Sequence, residues 1–428
     1  MDSAGRRSPP PPHARQLWQS TLFSHGEADL SLDWPTVESY LTMFPGRTPV
    51  NVVPQVPHCA VRMAVMGWDA RPATDAEIGR MKTIVREWME AGAVCLNLGL
   101  DYQPSAFADT RELIELSSIV REYGGIYAAH VRYTDLGRAA AWRETMVIGR
   151  GAAIPVHISH EHVDDVTEPL LEEAERICDL TFESYLYPAG CTHLALMLPT
   201  WAQAGGPDGV RARLQDPEMR NRIRQHLQDR LTVDSGGARA VVVGNRTGLF
   251  IGWSLDESAE AEGLPMGEVA VTMLEDEHPY VLMVYHRGMT AEEQHEAVWR
   301  TVRHPRMMVA SDGIYHGRSS HPRGYGCFTR VLRLGVREMG AISLEEAIYK
   351  MSGFPAERFR INDRGLLRPG YGADVLIFDP ETVADRATWE EPRLEPVGID
   401  RVIVNGETVV EGGDPTGALP GRVLRAHR

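Results

Sequence analysis

Gly125-Ile126-Tyr127-Ala128-Ala129-His130 and Ile154-Pro155-Val156-His157-Ile158-Ser159-His160 are the stretches that decide the fold of this chain. Each is a short apolar run of strand character ending in a histidine, and His130 and His160 stand 30 residues apart. That spacing holds one strand and one crossover helix, the repeat of a parallel βα protein. A third run, Met307-Met308-Val309-Ala310, leads through Ser311 to Asp312, and Gly313 lets the chain turn away. Catalytic residues of βα barrels collect at the carboxyl ends of the strands. Two imidazoles and a carboxylate on that rim suit a divalent cation, most naturally zinc. Singly, each residue has a plainer explanation, because a histidine at a strand end is usually just hydrogen-bonded and Asp-Gly is usually a turn. Their recurrence at one point of three βα units favours metal.

Working outward, the alternation of β-rich and helical stretches continues from residue 50 and indicates an α/β protein with parallel strands. Strands are expected over 51–56, 93–98 and 181–187, and helices over 74–91, 109–123 and 168–179. Thr74 and Glu77 form a capping-box pattern at the start of the first helix. The rhythm breaks from about 195 to 300, where Arg-rich helical segments and two short strands suggest a lid or cap inserted between barrel strands. A helix over 343–353 closes the barrel, giving a domain over 31–360. Residues 361–428 read as a small β-sandwich-like module, with a strand over 372–379 and a hairpin over 402–410 turned by Asn405-Gly406.

Composition narrows the function. A formal charge of −15 without a Lys/Arg run argues against a nucleic-acid surface. Five scattered cysteines (Cys59, Cys95, Cys178, Cys191, Cys327) with no CxxC pair suit a reducing cytoplasm. No apolar run reaches the length of a membrane span. Residues 1–30 contain four consecutive prolines, lack an apolar signal core and read as a disordered tail.

Several segments together resemble the D-aminoacylase (N-acyl-D-amino-acid deacylase) family of the amidohydrolase superfamily. They are Ala129-His130, Ile158-Ser159-His160, Ser311-Asp312-Gly313, His321-Pro322-Arg323-Gly324-Tyr325-Gly326, Arg364-Gly365-Leu366-Leu367-Arg368-Pro369-Gly370, and the run from Ala373 to Asp385. The resemblance implies a TIM-type (β/α) barrel and a zinc enzyme that removes the acyl group from N-acyl-D-amino acids. It places the family's metal histidines on His130 and His160 and its catalytic aspartate on Asp312. Arg323 matches the arginine that holds the substrate carboxylate, a task suited to a planar bidentate donor. Tyr185, Cys191 (where the family often has serine) and His321 complete the expected substrate-binding set. His162 stands where the family often has lysine.

Family members also begin with a strand carrying His-x-His, followed by a cysteine ligand, and neither is found here. The expectation is therefore a barrel lacking its first two strands. Three explanations stand open: a fragment of a longer enzyme, a non-catalytic relative that binds a carboxylated ligand, or a chain completed by another polypeptide or by oligomerisation. Among enzymes, a cyclic-amide hydrolase of the dihydroorotase or hydantoinase kind is the alternative to linear-amide hydrolysis.

Overall fold

The computed structural model describes residues 36–233, 239–277, 281–286, 288–315 and 319–426, so the Pro-rich tail lies outside the described residues. Along the chain come strands β1 (Val56–Pro57), β2 (Cys95–Gly99), β3 (Ile126–His130), β4 (Val156–Ile158), β5 (Leu180–Ser184), β6 (Ala189–His193), β7 (Arg239–Gly244), β8 (Leu282–His286) and β9 (Met307–Val309). Six of them form one sheet in the order β1-β2-β3-β4-β5-β9. Every pairing in it is parallel.

The expected strand over 51–56 is the main departure. Only Val56–Pro57 pairs within the sheet, Val52 bridging instead to Val423, and His58 already opens a helix, His58–Met66. Pro54 and Pro57 carry no N–H, so a continuous ladder through this stretch cannot form. The helices match the expected pattern more closely. Asp75–Glu90 starts with the capping box, in which Glu77 accepts the Thr74 N–H at 2.8 Å. Asp109 caps Thr110–Glu122 by accepting the Glu112 N–H, also at 2.8 Å.

Side chains alternate across a strand, so each strand serves two environments. Leu96, Leu98, Tyr127, Ala129, Val156, Ile158 and Phe182 point outward into the main apolar core beneath the helices. Each such burial is worth about 1.5–3 kcal/mol. On the inner face, Asn97, Ala128 and His157 sit in neighbouring register and border a cavity. A parallel strand buried on both faces would be apolar throughout; Asn97 is exposed in the middle of β2 because its face opens on that cavity.

Between β5 and β9 the chain leaves the sheet. β6, β8 and β7 make a separate antiparallel sheet in that order. Leu194, Leu198, Val210, Leu227, Leu274 and Met283 belong to a second apolar core there. The last strands are β10 (Val375–Phe378), β11 (Ile399–Val404), β12 (Glu407–Glu411) and β13 (Asp414–Pro415), in one four-stranded antiparallel sheet. Among the described residues this segment has one sheet, where a sandwich-like pair was expected. Asn405 and Gly406 turn its hairpin with φ of 50° and 85°, as a two-residue turn requires.

Two features tie distant segments together. Val52 accepts the Leu424 N–H and donates to the Arg422 carbonyl, both at 2.8 Å, so residues 420–426 lie against the start of the sheet. His58, Arg62 and Glu112 are fully buried, with the Glu112 carboxylate ion-paired to the Arg62 guanidinium and hydrogen-bonded to the His58 imidazole. Among the described residues, no helix is long and apolar enough to cross a membrane.

Candidate active site

The inner face of the sheet and the antiparallel excursion enclose a cavity of about 1320 Å³. His130, His160, Asp312, Tyr185 and Cys191 all line it. His130 is the last residue of β3, in register with Gly99 of β2. His160 follows β4 by two residues and Asp312 follows β9 by three, so all three occupy the carboxyl rim. His160 and Asp312 adopt left-handed backbone conformations, φ 48° and 45°. Such conformations cost a non-glycine residue of the order of 1 kcal/mol or more and tend to cluster at functional sites.

The two histidines meet directly, His130 Nδ1 lying 2.8 Å from His160 Nε2. Burial, with the neighbouring His130 and Arg323, holds the His160 imidazole well below its ordinary pKa. The loop after it is anchored by Glu161, which accepts from Tyr133 Oη (2.7 Å), Arg138 Nε (2.9 Å) and Trp142 Nε1 (3.2 Å). Two imidazole nitrogens converging in this way fit zinc by donor chemistry. The third expected donor stands apart. Among the described residues, no group of three or more His, Cys, Asp or Glu side chains is arranged around a metal position.

Asp312 is turned onto Arg323. Arg323 Nη2 is 2.7 Å from Asp312 Oδ2, and Arg323 Nε donates to the Asp312 carbonyl oxygen at 2.8 Å. Loss of water around the carboxyl pushes its pKa above the usual carboxylate range; Glu183 adds to this, while Arg323 and His130 oppose it. Arg323 itself is 1% exposed and lies over the Tyr185 ring, 4.3 Å from its centroid. Its Nη1 is buried with no hydrogen-bond acceptor.

His321 differs from expectation in its contacts. It is fully buried, its Nε2 donates to the Ala189 carbonyl at 2.9 Å, and its Nδ1 accepts the Arg323 N–H at 3.0 Å. With both ring nitrogens engaged by backbone, it positions Arg323 and has no group left for a substrate. Trp389, from the chain beyond the parallel sheet, packs edge-on against it at 4.9 Å. Cys191 does line the cavity, but burial pushes its thiol up to about 12, so it is no nucleophile near neutrality. Cys59 and Cys95 do not substitute for a missing ligand: Cys59 Sγ bonds Ser105 Oγ at 3.0 Å, and Cys95 packs in an apolar cluster.

Two residues escaped the sequence reading. Asp101, two residues past β2, places Oδ2 3.0 Å from His130 Nε2. Glu183 of β5 accepts the His160 N–H at 3.3 Å and pairs with His157. The signal for Asp101 was present, since Leu98-Gly99-Leu100-Asp101 repeats the pattern of a strand running into an acid.

Comparison with known proteins identifies the family. Residues 261–410 match the amidohydrolase family. A D-aminoacylase from Alcaligenes xylosoxydans xylosoxydans is 35% identical over 384 residues, 88% of this chain and 70% of the relative. The solved N-acyl-D-glutamate deacylase from Bordetella bronchiseptica, complexed with zinc and a phosphonate inhibitor, superposes with a TM-score of 0.76 at 31% identity, covering 94% of this chain and 77% of that one. A D-aminoacylase structure concerned with a binuclear metal centre gives 0.75 at 31% identity, covering 92% and 75%. With its paired rim histidines and this extent of likeness, the chain belongs to the D-aminoacylase family of the amidohydrolases.

Proposed function

We propose that this chain hydrolyses the linear amide bond of N-acyl-D-amino acids. The observation that carries the reading is the facing pair His130–His160 on the same cavity rim as Asp312, which Arg323 holds from behind. Zinc would be held by His130 and His160 and would supply, when bound, the Lewis acidity that polarises an amide carbonyl and acidifies water. Asp312 accepts a proton from the attacking water and returns it to the amine nitrogen as the C–N bond breaks. The water oxygen ends on the acyl carbon, giving a carboxylate and a free amino acid. A raised carboxyl pKa suits a group that must both take and give a proton. Arg323 Nη1, lacking an acceptor, binds the substrate's α-carboxylate, and Tyr185 and Cys191 shape the pocket wall.

For the architecture, we infer that the six parallel strands are part of an eight-stranded barrel, two strands short. Residues from about 195 to 300 act as its cap, and residues 361–428 form an accessory module. The unpaired edges at β1 and β9 among the described residues support this reading.

The test is turnover of N-acetyl-D-amino acids, their L enantiomers and cyclic amides, with zinc present and after chelation. Release of D-amino acids that chelation abolishes is expected. A second reading, a carboxylate-binding protein without catalysis, draws on the engagement of Asp312 with Arg323 and on the lack of a described third donor at the histidine pair. It predicts metal-independent binding of N-acyl amino acids with no turnover.

A further inference from the structure

We propose that Asp101 fixes the proton of His130 on Nε2, so that an unprotonated Nδ1 faces His160 and the metal position. The inference rests on the metal-dependent reading above and assigns a positioning role to a residue that touches neither substrate nor metal.

The geometry leaves little freedom. Asp101 is 6% exposed, and the strand ends on either side are locked by the Leu100 N–H donating to the His130 carbonyl at 2.9 Å. Asp101 Oδ1 accepts the Thr134 N–H at 2.9 Å, while Oδ2 lies 3.0 Å from His130 Nε2. Tyr102 and Tyr133 stand edge-on to the imidazole, 5.0 and 5.2 Å between centroids, and limit its rotation. An ionised carboxylate only accepts hydrogen bonds, so Nε2 is the donor. When the imidazole carries a single N–H, that proton sits on Nε2 and Nδ1 is left as a lone pair. That nitrogen is the one lying 2.8 Å from His160 Nε2. A carboxylate behind a metal-binding histidine both selects the tautomer and raises the basicity of the ligating nitrogen.

The Thr134 contact makes the consequence of one substitution specific. In Asp101→Asn the side chain keeps its shape, but the Thr134 N–H can only donate and so claims the amide oxygen. The amide NH2 then faces Nε2, which must accept. The imidazole proton moves to Nδ1, onto the side where a metal would bind.

The experiment uses long-range ¹H–¹⁵N correlation spectra of the metal-free chain, labelled at the imidazole nitrogens, with His130→Gln to assign the resonance. The wild-type chain is expected to show His130 as the Nε2–H tautomer and Asp101→Asn as the Nδ1–H tautomer. In competition with a chelating dye, zinc affinity of Asp101→Asn is expected to fall by about 10–100-fold. A wild-type Nδ1–H tautomer overturns the proposal, as does an Asp101→Asn chain with unchanged tautomer and zinc affinity. The wild-type spectrum does not depend on Asp101→Asn folding. It reads the proton's position whether or not zinc binds, so failure of the metal reading is told apart from failure of this one.

Discussion

Arg323 grips Asp312 at two points, through Nη2 to the carboxylate at 2.7 Å and through Nε to the main-chain carbonyl at 2.8 Å. The same guanidinium lies over Tyr185 and takes its backbone position from His321. Asp312, Arg323 and Tyr185 are thus one mechanical unit, in which a change at one residue is felt at the others.

Replacing the acid tests its chemistry apart from its fold. Asp312→Asn keeps the shape and removes the proton acceptor, so kcat should drop by about 10²–10⁴. Zinc content should stay near the wild-type level, since His130 and His160 remain paired. His160→Ala should lose both zinc and turnover. Elemental analysis alongside initial rates checks this, and an active Asp312→Asn would sink the mechanism.

Arg323→Lys keeps the charge but loses the planar fork. Charge-assisted hydrogen bonds contribute about 1.5–3 kcal/mol each, so kcat/KM should fall roughly 10–100-fold. Both constants should move, because the residue touches Asp312 and is proposed to touch substrate. A steady-state comparison on N-acyl-D-amino acids checks it; unchanged constants would take Arg323 out of the site.

Cys191→Ala should leave kcat within about twofold of wild type, because a thiol pushed up to about 12 has almost no thiolate at pH 7. The native thiol should also resist iodoacetamide at that pH. Rapid alkylation with loss of activity would reverse this assignment.

Stability should depend on pH through His321. Burial, with Arg323 nearby, holds its folded pKa well below the ordinary imidazole value. Below about pH 6.5 the unfolded chain therefore binds a proton that the folded chain refuses. The contribution is fully present above that pH and is lost as pH falls further. Urea melts of the metal-free chain from pH 7.5 to 5 should show falling stability, and His321→Asn should flatten the slope.

Glu112→Gln should destabilise the fold by about 3–5 kcal/mol, because His58 and Arg62 would be left buried beside a neutral group. Denaturant midpoints of the two proteins measure the difference. A loss below about 1 kcal/mol, the usual worth of an exposed pair, would mean that the buried cluster is structurally incidental.

The sequence carried most of the parallel sheet, because apolar runs ending in His130 and His160 repeat with βα spacing and a third such run leads into Asp312. It also placed the capping box at Thr74 and the hairpin at Asn405-Gly406, since both depend on side chains within a few residues of each other. What escaped it depends on the third dimension. Asp101 acquires a role only when β2 lies beside β3, and Trp389 only when a segment 68 residues beyond His321 folds back on it. The stretch 51–56 is valine-rich and read as a strand, but its prolines and its partners in residues 420–426 were decisive. For His321, position in a family motif suggested ligand contact, whereas burial and two backbone hydrogen bonds give it a supporting role.

The contact of Val52 with Arg422 and Leu424 also bears on synthesis. Partners separated by some 370 positions cannot meet until nearly all of the chain has left the ribosome. Until then the segment leading into β1 waits without its hydrogen-bonding neighbours, and parallel sheets with such distant closures form slowly. In this interval a nascent chain is most exposed to pairing with another copy, so expression yield should respond more to chaperone supply and temperature than the stability of the finished fold alone would suggest.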